Sequence, residues 1–519
     1  EYLGFSSFRL GNSGTQTLNL SEADFTGLAG NTVAVLAGTA ADRVDASVLS
    51  PTHRLSYTGG TGKDTALGGS GNDTFTFAAA SLAAGDRVMG GAGSDVLAIT
   101  TAGTPALGGV TGIETIRLAA TGADRLTLAD ANFADTNGNT IAVIAGNAGD
   151  LVNAATVAAP NRVVFTGGNG SDDVTGGAGA DVFQFTAAAL SATDTVAGGG
   201  GDDRLVLTSS GTIHATGVTG VETYQLAGTG ANTLVLDNAR FATVSGHTIT
   251  VIGGSKGNTV SGAALAAFNH LVVYGGAGAD LISGGAGGDT FVFSLAALST
   301  ADRVAGNGGS DELDMTSSGT VQAVHVSGVE TYVLGDTGNN ILTLGNANFA
   351  GVNGRQITIV GGDRGNFINA SAAAGTNTVD VFAGAGADTL KGGAGNDRLH
   401  AGGDTTMTGG GGADEFVFAA PGSNTVADFK PGSDKLVFSN AGFDLGVDDG
   451  KGTAAPQPLD AAVFLAARKA TATGQRLLYD KTSGILSYDP DGSGGAAPVR
   501  IAQLSHAPVI SAADLFYIA

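Results

Sequence analysis

Short apolar stretches separated by Gly, Asn and Asp recur through most of the chain. Thr248-Ile249-Thr250-Val251-Ile252 alternates polar and apolar residues, and Asn232-Thr233-Leu234-Val235-Leu236 does nearly the same, each between Gly and Asn turns. Period-two patterning rich in β-branched residues predicts short strands with one buried face. The densest form of the pattern is a nine-residue phrase, Gly-Gly-x-Gly-x-Asp-x-U-x, where U is a large apolar residue. Its clearest copy is Gly176-Gly177-Ala178-Gly179-Ala180-Asp181-Val182-Phe183-Gln184. Its glycines predict a tight turn with positive φ. Its aspartate offers a hard oxygen beside converging backbone carbonyls, and U starts a strand and points inward.

The phrases sit in a longer repeat. Phe5-Ser6-Ser7-Phe8-Arg9-Leu10 reappears as Ile113-Glu114-Thr115-Ile116-Arg117-Leu118, and again at Val221 and Val329, a period of 108 residues. The same period carries Asp64 to Asp172, Asp280 and Asp388; Asp73 to Asp181, Asp289 and Asp397; and Asp95 to Asp203 and Asp311. The fourth copy is shortened, with Asp414 where 419 is due. Nine residues make half a turn of a flattened solenoid, and 22 make a full turn with a small insertion. Asp150 and Asp172 are therefore expected on one edge, and Asp181 and Asp203 on the other, with roughly four to five coils per repeat. Coils stacked about 4.8 Å apart would give a rod on the order of 100 Å long.

The expected fold is all-β: a right-handed parallel β-solenoid or β-roll over 1–436, with repeats 5–112, 113–220, 221–328 and a closing 329–436. A small α+β domain is expected over 437–519. There the Ala-rich stretch from Leu459 to about Thr471 predicts a short helix, with Asp460 in its first turn and Gly474 as its stop. Gln475–Asp480 and Gly484–Asp489 predict a hairpin, and Val499–Leu504 a further strand.

Composition narrows the function. Gly supplies 87 residues, yet 42% of the chain is apolar, so a packed core is expected and disorder is not. The net charge of −23 argues against nucleic acid as a partner. Only seven of the 47 acidic residues are Glu (1, 22, 114, 222, 312, 330 and 415), a bias toward turn chemistry and short-armed metal ligation. There is no Cys, hence no disulfide, thiolate chemistry or Cys-type zinc site. No apolar run reaches the ~18 residues of a membrane helix, so membrane insertion is not expected. The chain opens on Glu1 and not Met, from which upstream sequence is expected.

The nonapeptides of 59–417, the closing Asp428-Phe429-x-x-Gly432-x-Asp434-Lys435-Leu436 and the apolar C-terminus resemble the RTX (repeats-in-toxin) calcium-binding proteins exported by type I secretion. The resemblance implies Ca²⁺ at Asp64, Asp73, Asp95, Asp172, Asp181, Asp203, Asp280, Asp289, Asp311, Asp388, Asp397 and Asp414. It also implies a C-terminal secretion signal read by an ABC transporter, and a chain that folds outside the cell as it gains Ca²⁺. Long Cys-free chains of this composition are most similar to bacterial surface-layer (S-layer) proteins. These self-associate into a sheet or filament, with cell-surface polysaccharide as a further partner. An adhesin stalk, or the calcium module of an extracellular enzyme, are the alternatives. Three departures stand out: only two nonapeptides are contiguous in each repeat, against longer runs in toxins and proteases; Lys63 and Ala66 weaken the first nonapeptide, 59–67; and Ala383 and Asn307 replace glycines in two others.

Other positions admit two readings. Asp42, Asp150, Asn258 and Asn366 lie in half-matching loops, open between ligand and plain turn. Asp86, Asp194 and Asp302 fit a loop cap as well as a ligand. Asp489-Pro490-Asp491-Gly492-Ser493 has calcium-type spacing but fits a β-turn better. Glu114, Glu222 and Glu330 recur at one place, which favours an inter-coil hydrogen bond or salt bridge over catalysis. The seven histidines show no metal-binding spacing, and no catalytic constellation is found, so no enzyme is expected.

Overall fold

A computed structural model describes residues 4–445 and 455–518; Glu1 and Ala519 lie outside them. The chain divides into two compact units, Glu1–Ser255 and Lys256–Ala519. Each is a stack of parallel β coils.

In the first unit one parallel sheet runs through Val35, Tyr57, Phe75, Leu97, Ile116, Val143, Phe165, Phe183, Leu205, Tyr224 and Val251, each paired with the next. Shorter strands form the opposing layer: Leu18, Val44, Ala66, Val88 and Val110 pair in series, then Leu126, Val152, Val174, Val196 and Val218. Inward positions alternate with outward ones, and Tyr57, Phe75, Phe165, Phe183 and Tyr224 are fully buried. Burying a side chain of this size contributes about 1.5–3 kcal/mol. One coil cannot supply a partner for its own apolar face, so stacking makes the core.

The register gives the coil lengths. From Tyr57 the steps to Phe75, Leu97, Ile116, Val143 and Phe165 are 18, 22, 19, 27 and 22 residues. These close the 108-residue period, so a repeat is five coils. The second unit repeats the pattern from Val273 through Phe291, Leu313, Tyr332, Ile359, Val381 and Leu399. Its next step, Leu399 to Phe416, is 17 residues, which is why Asp414 comes early. Two nonapeptides make the 18-residue coil, and insertions lengthen the others of the full repeats without changing the register.

The segment after the array joins the same sheets. Leu515–Ile518 pairs parallel with Lys435–Ser439, and Val499–Leu504 pairs parallel with Asn424–Val426. Leu477–Asp480 and Ile485–Tyr488 form the expected antiparallel hairpin, which pairs onto Val499–Leu504. The last coil's edges are thus paired, which removes an aggregation-prone edge.

The expected helix from Leu459 is absent. Ala461–Val463 is a single 3₁₀ turn capped by the Asp460 side chain, which accepts from Ala462 N–H at 2.9 Å. Phe464–Leu465 then pairs parallel with Leu477 and Leu478. Alanine's helix propensity is a weak prior, and consecutive apolar Val463-Phe464-Leu465 gives no helical stripe, so pairing wins. Among the described residues, helical structure is confined to short 3₁₀ turns.

Candidate calcium-binding edges

Turns alternate between two edges of the coil. The first edge follows the long-sheet strands and carries Asp64, Asp172, Asp280 and Asp388. The second precedes them and carries Asp73, Asp95, Asp181, Asp203, Asp289, Asp311, Asp397 and Asp414. All twelve are at most 2% exposed. A solvated turn is therefore the wrong reading for these carboxylates, because buried ones need partners.

Their partners come from neighbouring coils. Asp150 N–H donates to Asp172 Oδ1 at 2.9 Å and Asp181 N–H to Asp203 Oδ1 at 2.7 Å, so each pair stacks on the expected edge. Asp73 to Asp95 and Asp289 to Asp311 repeat the second-edge bond at 2.7 Å, and Asp397 to Asp414 at 2.9 Å. On the first edge, Asp64 N–H donates to Asp86, Asp172 to Asp194 and Asp280 to Asp302. The other oxygens of Asp86, Asp194 and Asp302 accept from Ala83, Ser191 and Ser299 N–H, three residues back. These three are loop caps.

Within the second edge the paired loops differ. In the first, Gly177 N–H donates to Asp181 Oδ2 at 2.6 Å and Val163 N–H to Oδ1 at 2.6 Å, so both oxygens are satisfied. Asp73, Asp289 and Asp397 are held the same way. In the second loop the residue equivalent to Gly177 is left-handed: Gly91 (φ 101°), Gly199 (φ 106°), Asn307 (φ 75°) and Gly410 (φ 100°). Its N–H no longer meets the carboxylate in the first three repeats, and Oδ2 of Asp95, Asp203 and Asp311 is buried without a partner. Asn is the non-glycine residue that best tolerates this region, so Asn307 preserves the turn. On the first edge Oδ2 of Asp172, Asp280 and Asp388 is likewise unpaired.

The glycines of the clearest copy do not work as their pattern predicts: Gly176, Gly177 and Gly179 all avoid positive φ. They are required by close approach. A methyl group on Gly176 would overlap Gly198 O of the next coil and Asp181 Oδ2; one on Gly198 would overlap Gly220 O and Asp203 Oδ2. Gly90 and Gly306 stand in the same relation to Gly112 O with Asp95 and to Gly328 O with Asp311. At Gly90, Gly198 and Gly306 a backbone carbonyl and an unpaired carboxylate oxygen thus meet in the space the missing side chain leaves, whereas at Gly176 the carboxylate oxygen already accepts from Gly177 N–H. Gly112, Gly220 and Gly328 were not singled out from sequence, although each recurs at the period, two residues before the repeated Glu.

Burial pushes Asp95, Asp203 and Asp311 up to about 7, with the carboxylates of the adjacent coils adding to the rise. Asp414 also rises to about 7, and Asp73, Asp172, Asp388 and Asp397 to about 6, burial leading in each. An oxygen-seeking dication would relieve this cost. Among the described residues no group of three or more His, Asp or Glu side chains is placed to hold a metal. Carbonyls must supply the remaining ligands, which suits hard Ca²⁺ better than Zn²⁺.

Five segments, residues 57–78, 163–183, 189–207, 272–292 and 382–416, match the family described as the RTX calcium-binding nonapeptide repeat (4 copies). The chain carries RTX calcium-binding repeats. It matches no curated protein. Ten of the twelve aspartates fall inside the RTX segments; Asp95 and Asp311 fall outside them, yet share the geometry of Asp203. In the Asp489–Ser493 loop, Asp491 Oδ2 accepts from Ala496 N–H at 3.0 Å, a turn role, while Asp489 and Ser493 N–H donate to Arg476 and Ala472 carbonyls.

The Ala383 departure is compensated. A methyl group on Gly59, Gly167 or Gly275 would strike Phe77, Phe185 or Phe293, whereas in the fourth repeat Ala383 coincides with Ala401 at the Phe position.

Proposed function

We propose that this is a secreted, Ca²⁺-dependent structural protein that assembles into a bacterial S-layer or filament. The observation that carries the calcium reading is the recurrence of a buried, unpaired Oδ2 at Asp95, Asp203 and Asp311, each beside a carbonyl of the next coil where a methyl group would sit. Of the twelve aspartates named from sequence, Asp95, Asp172, Asp203, Asp280, Asp311 and Asp388 keep an unpaired oxygen and supply the carboxylate ligands, whereas Asp73, Asp181, Asp289 and Asp397 spend both oxygens on backbone donors. Uncompensated, clustered buried carboxylates oppose folding, so a chain exported unfolded would fold where Ca²⁺ is plentiful. Export by a type I apparatus reading the C-terminal segment fits this order of events. The regular array and acidic edges favour a scaffold over a catalyst, and Ca²⁺ can bridge molecules as well as coils. Circular dichroism during Ca²⁺ titration, followed by electron microscopy of the same sample, tests both parts. The expected result is β signal that grows with Ca²⁺ and ordered sheets or filaments that EGTA disperses. Full β signal in EGTA would refute coupled folding; a monomer throughout millimolar Ca²⁺ would refute assembly.

A further inference from the structure

The second edge keeps one register position through every coil. In the first unit it is occupied by Asp73, Asp95, Glu114, Ile141 and Val163, then by Asp181, Asp203, Glu222 and Ile249. The second unit carries Asp289, Asp311, Glu330, Ile357 and Val379 in the same order. Three carboxylates are thus followed by two buried aliphatic residues, and in each of these three columns the last carboxylate is the longer one.

That extra methylene has a use. Glu114 Oε2 accepts from Asp95 N–H at 2.7 Å, the bond an Asp would make, while Oε1 reaches the following coil and accepts from Asn137 N–H at 3.2 Å. Glu330 does the same with Asp311 N–H at 2.9 Å and Asn353 N–H at 3.0 Å, and Glu222 accepts from Asp203 N–H at 2.8 Å. In the fourth repeat Asp434 fills the place, and there Lys430 N–H supplies the second donor at 2.7 Å. The first carboxylate of each column is satisfied by its own loop, and at Glu114, Glu330 and Asp434 both oxygens of the third accept from neighbouring backbone, while Glu222 holds Asp203 N–H alone. The middle one, Asp95, Asp203 or Asp311, keeps a buried oxygen without a partner.

We infer that Glu114, Glu222 and Glu330 are positioning residues. Each closes its carboxylate column, fixes the loop of Asp95, Asp203 or Asp311, and so sets one open cation position per column. This rests on the calcium reading above. An Asp in place of Glu is too short to hold both backbone donors at once, so the middle loop would lose its anchor. Losing such an outer partner typically weakens metal binding about 10–100-fold.

The test is a chelator-competition Ca²⁺ isotherm on the full chain with Glu330→Asp and with the double Glu114→Asp/Glu330→Asp. The single variant should shift one ion, and the double two, to roughly tenfold weaker binding or more, with the remaining ions unmoved. Glu330→Gln, which keeps the length and one acceptor, should recover part of the loss. An unchanged isotherm, or uniform weakening of every ion, would overturn the assignment while leaving calcium binding intact. A wild-type chain that takes up no Ca²⁺ would instead sink the calcium reading itself.

Discussion

The two nonapeptide loops stacked on one edge share a formula and do different work. At Asp181 the carboxylate is a structural acceptor, consumed by Val163 and Gly177 N–H. At Asp203, one coil on, the second glycine is left-handed and the same carboxylate keeps a buried free oxygen. A ligand aspartate and a scaffold aspartate can occupy the same motif position. The difference lies in which way one peptide unit faces.

The largest expected effect comes from filling the space where the oxygens meet. Gly198→Ala should destabilise the Ca²⁺-loaded protein by about 1–3 kcal/mol or more, because the colliding atoms include backbone. Gly200→Ala, whose methyl group would meet only Ala178 Cα at 3.8 Å, should be nearly silent. Equal melting temperatures for the two variants would break the argument.

Exchanging the aspartates comes next. Asp181→Asn leaves one buried backbone donor facing an amide NH₂, and should cost about 1–3 kcal/mol with or without Ca²⁺. Asp203→Asn removes a buried charge that lacks a partner. It should weaken Ca²⁺ binding yet raise stability in EGTA, so the two variants should move in opposite directions when chelated. Denaturant melts in both conditions decide it.

A change of pH acts on all the open carboxylates at once. Asp95, Asp203, Asp311 and Asp414 sit at about 7 in the fold against 3.8 ordinarily. Between those values the folded state holds more protons than the unfolded chain, so cation-free stability falls as pH rises through that window. The chelated protein should melt higher at pH 5 than at pH 8. Saturating Ca²⁺ should reverse the order, since binding displaces those protons. Thermal melts at the two pH values, each with and without EGTA, read the sign directly.

Much of this was legible from residue spacing. The 108-residue period, the assignment of Asp150 and Asp172 to one edge and Asp181 and Asp203 to the other, and the hairpin near the C-terminus all follow from positions along the chain. So does the inter-coil hydrogen bond of Glu114, Glu222 and Glu330, because a group repeated in tandem is repeated for a structural reason. The strand at Phe464–Leu465, where a helix from Leu459 was expected, was not legible: local Ala content says nothing about a strand at Leu477 waiting to be paired. Nor was the Ala383–Ala401 compensation, whose partners meet only across coils.

By itself the sequence determined the repeat, the β class and which carboxylates stack, since period-two burial and a fixed coil length are properties of spacing. Only the tertiary structure decided which stacked carboxylate stays open and why the glycines are glycines. The first depends on the left-handed turn at Gly199, and the second on the carbonyl of the next coil, Gly220 O, brought against Gly198 from a residue two positions before Glu222. Contacts of that kind are made by the fold and have no local mark in the chain.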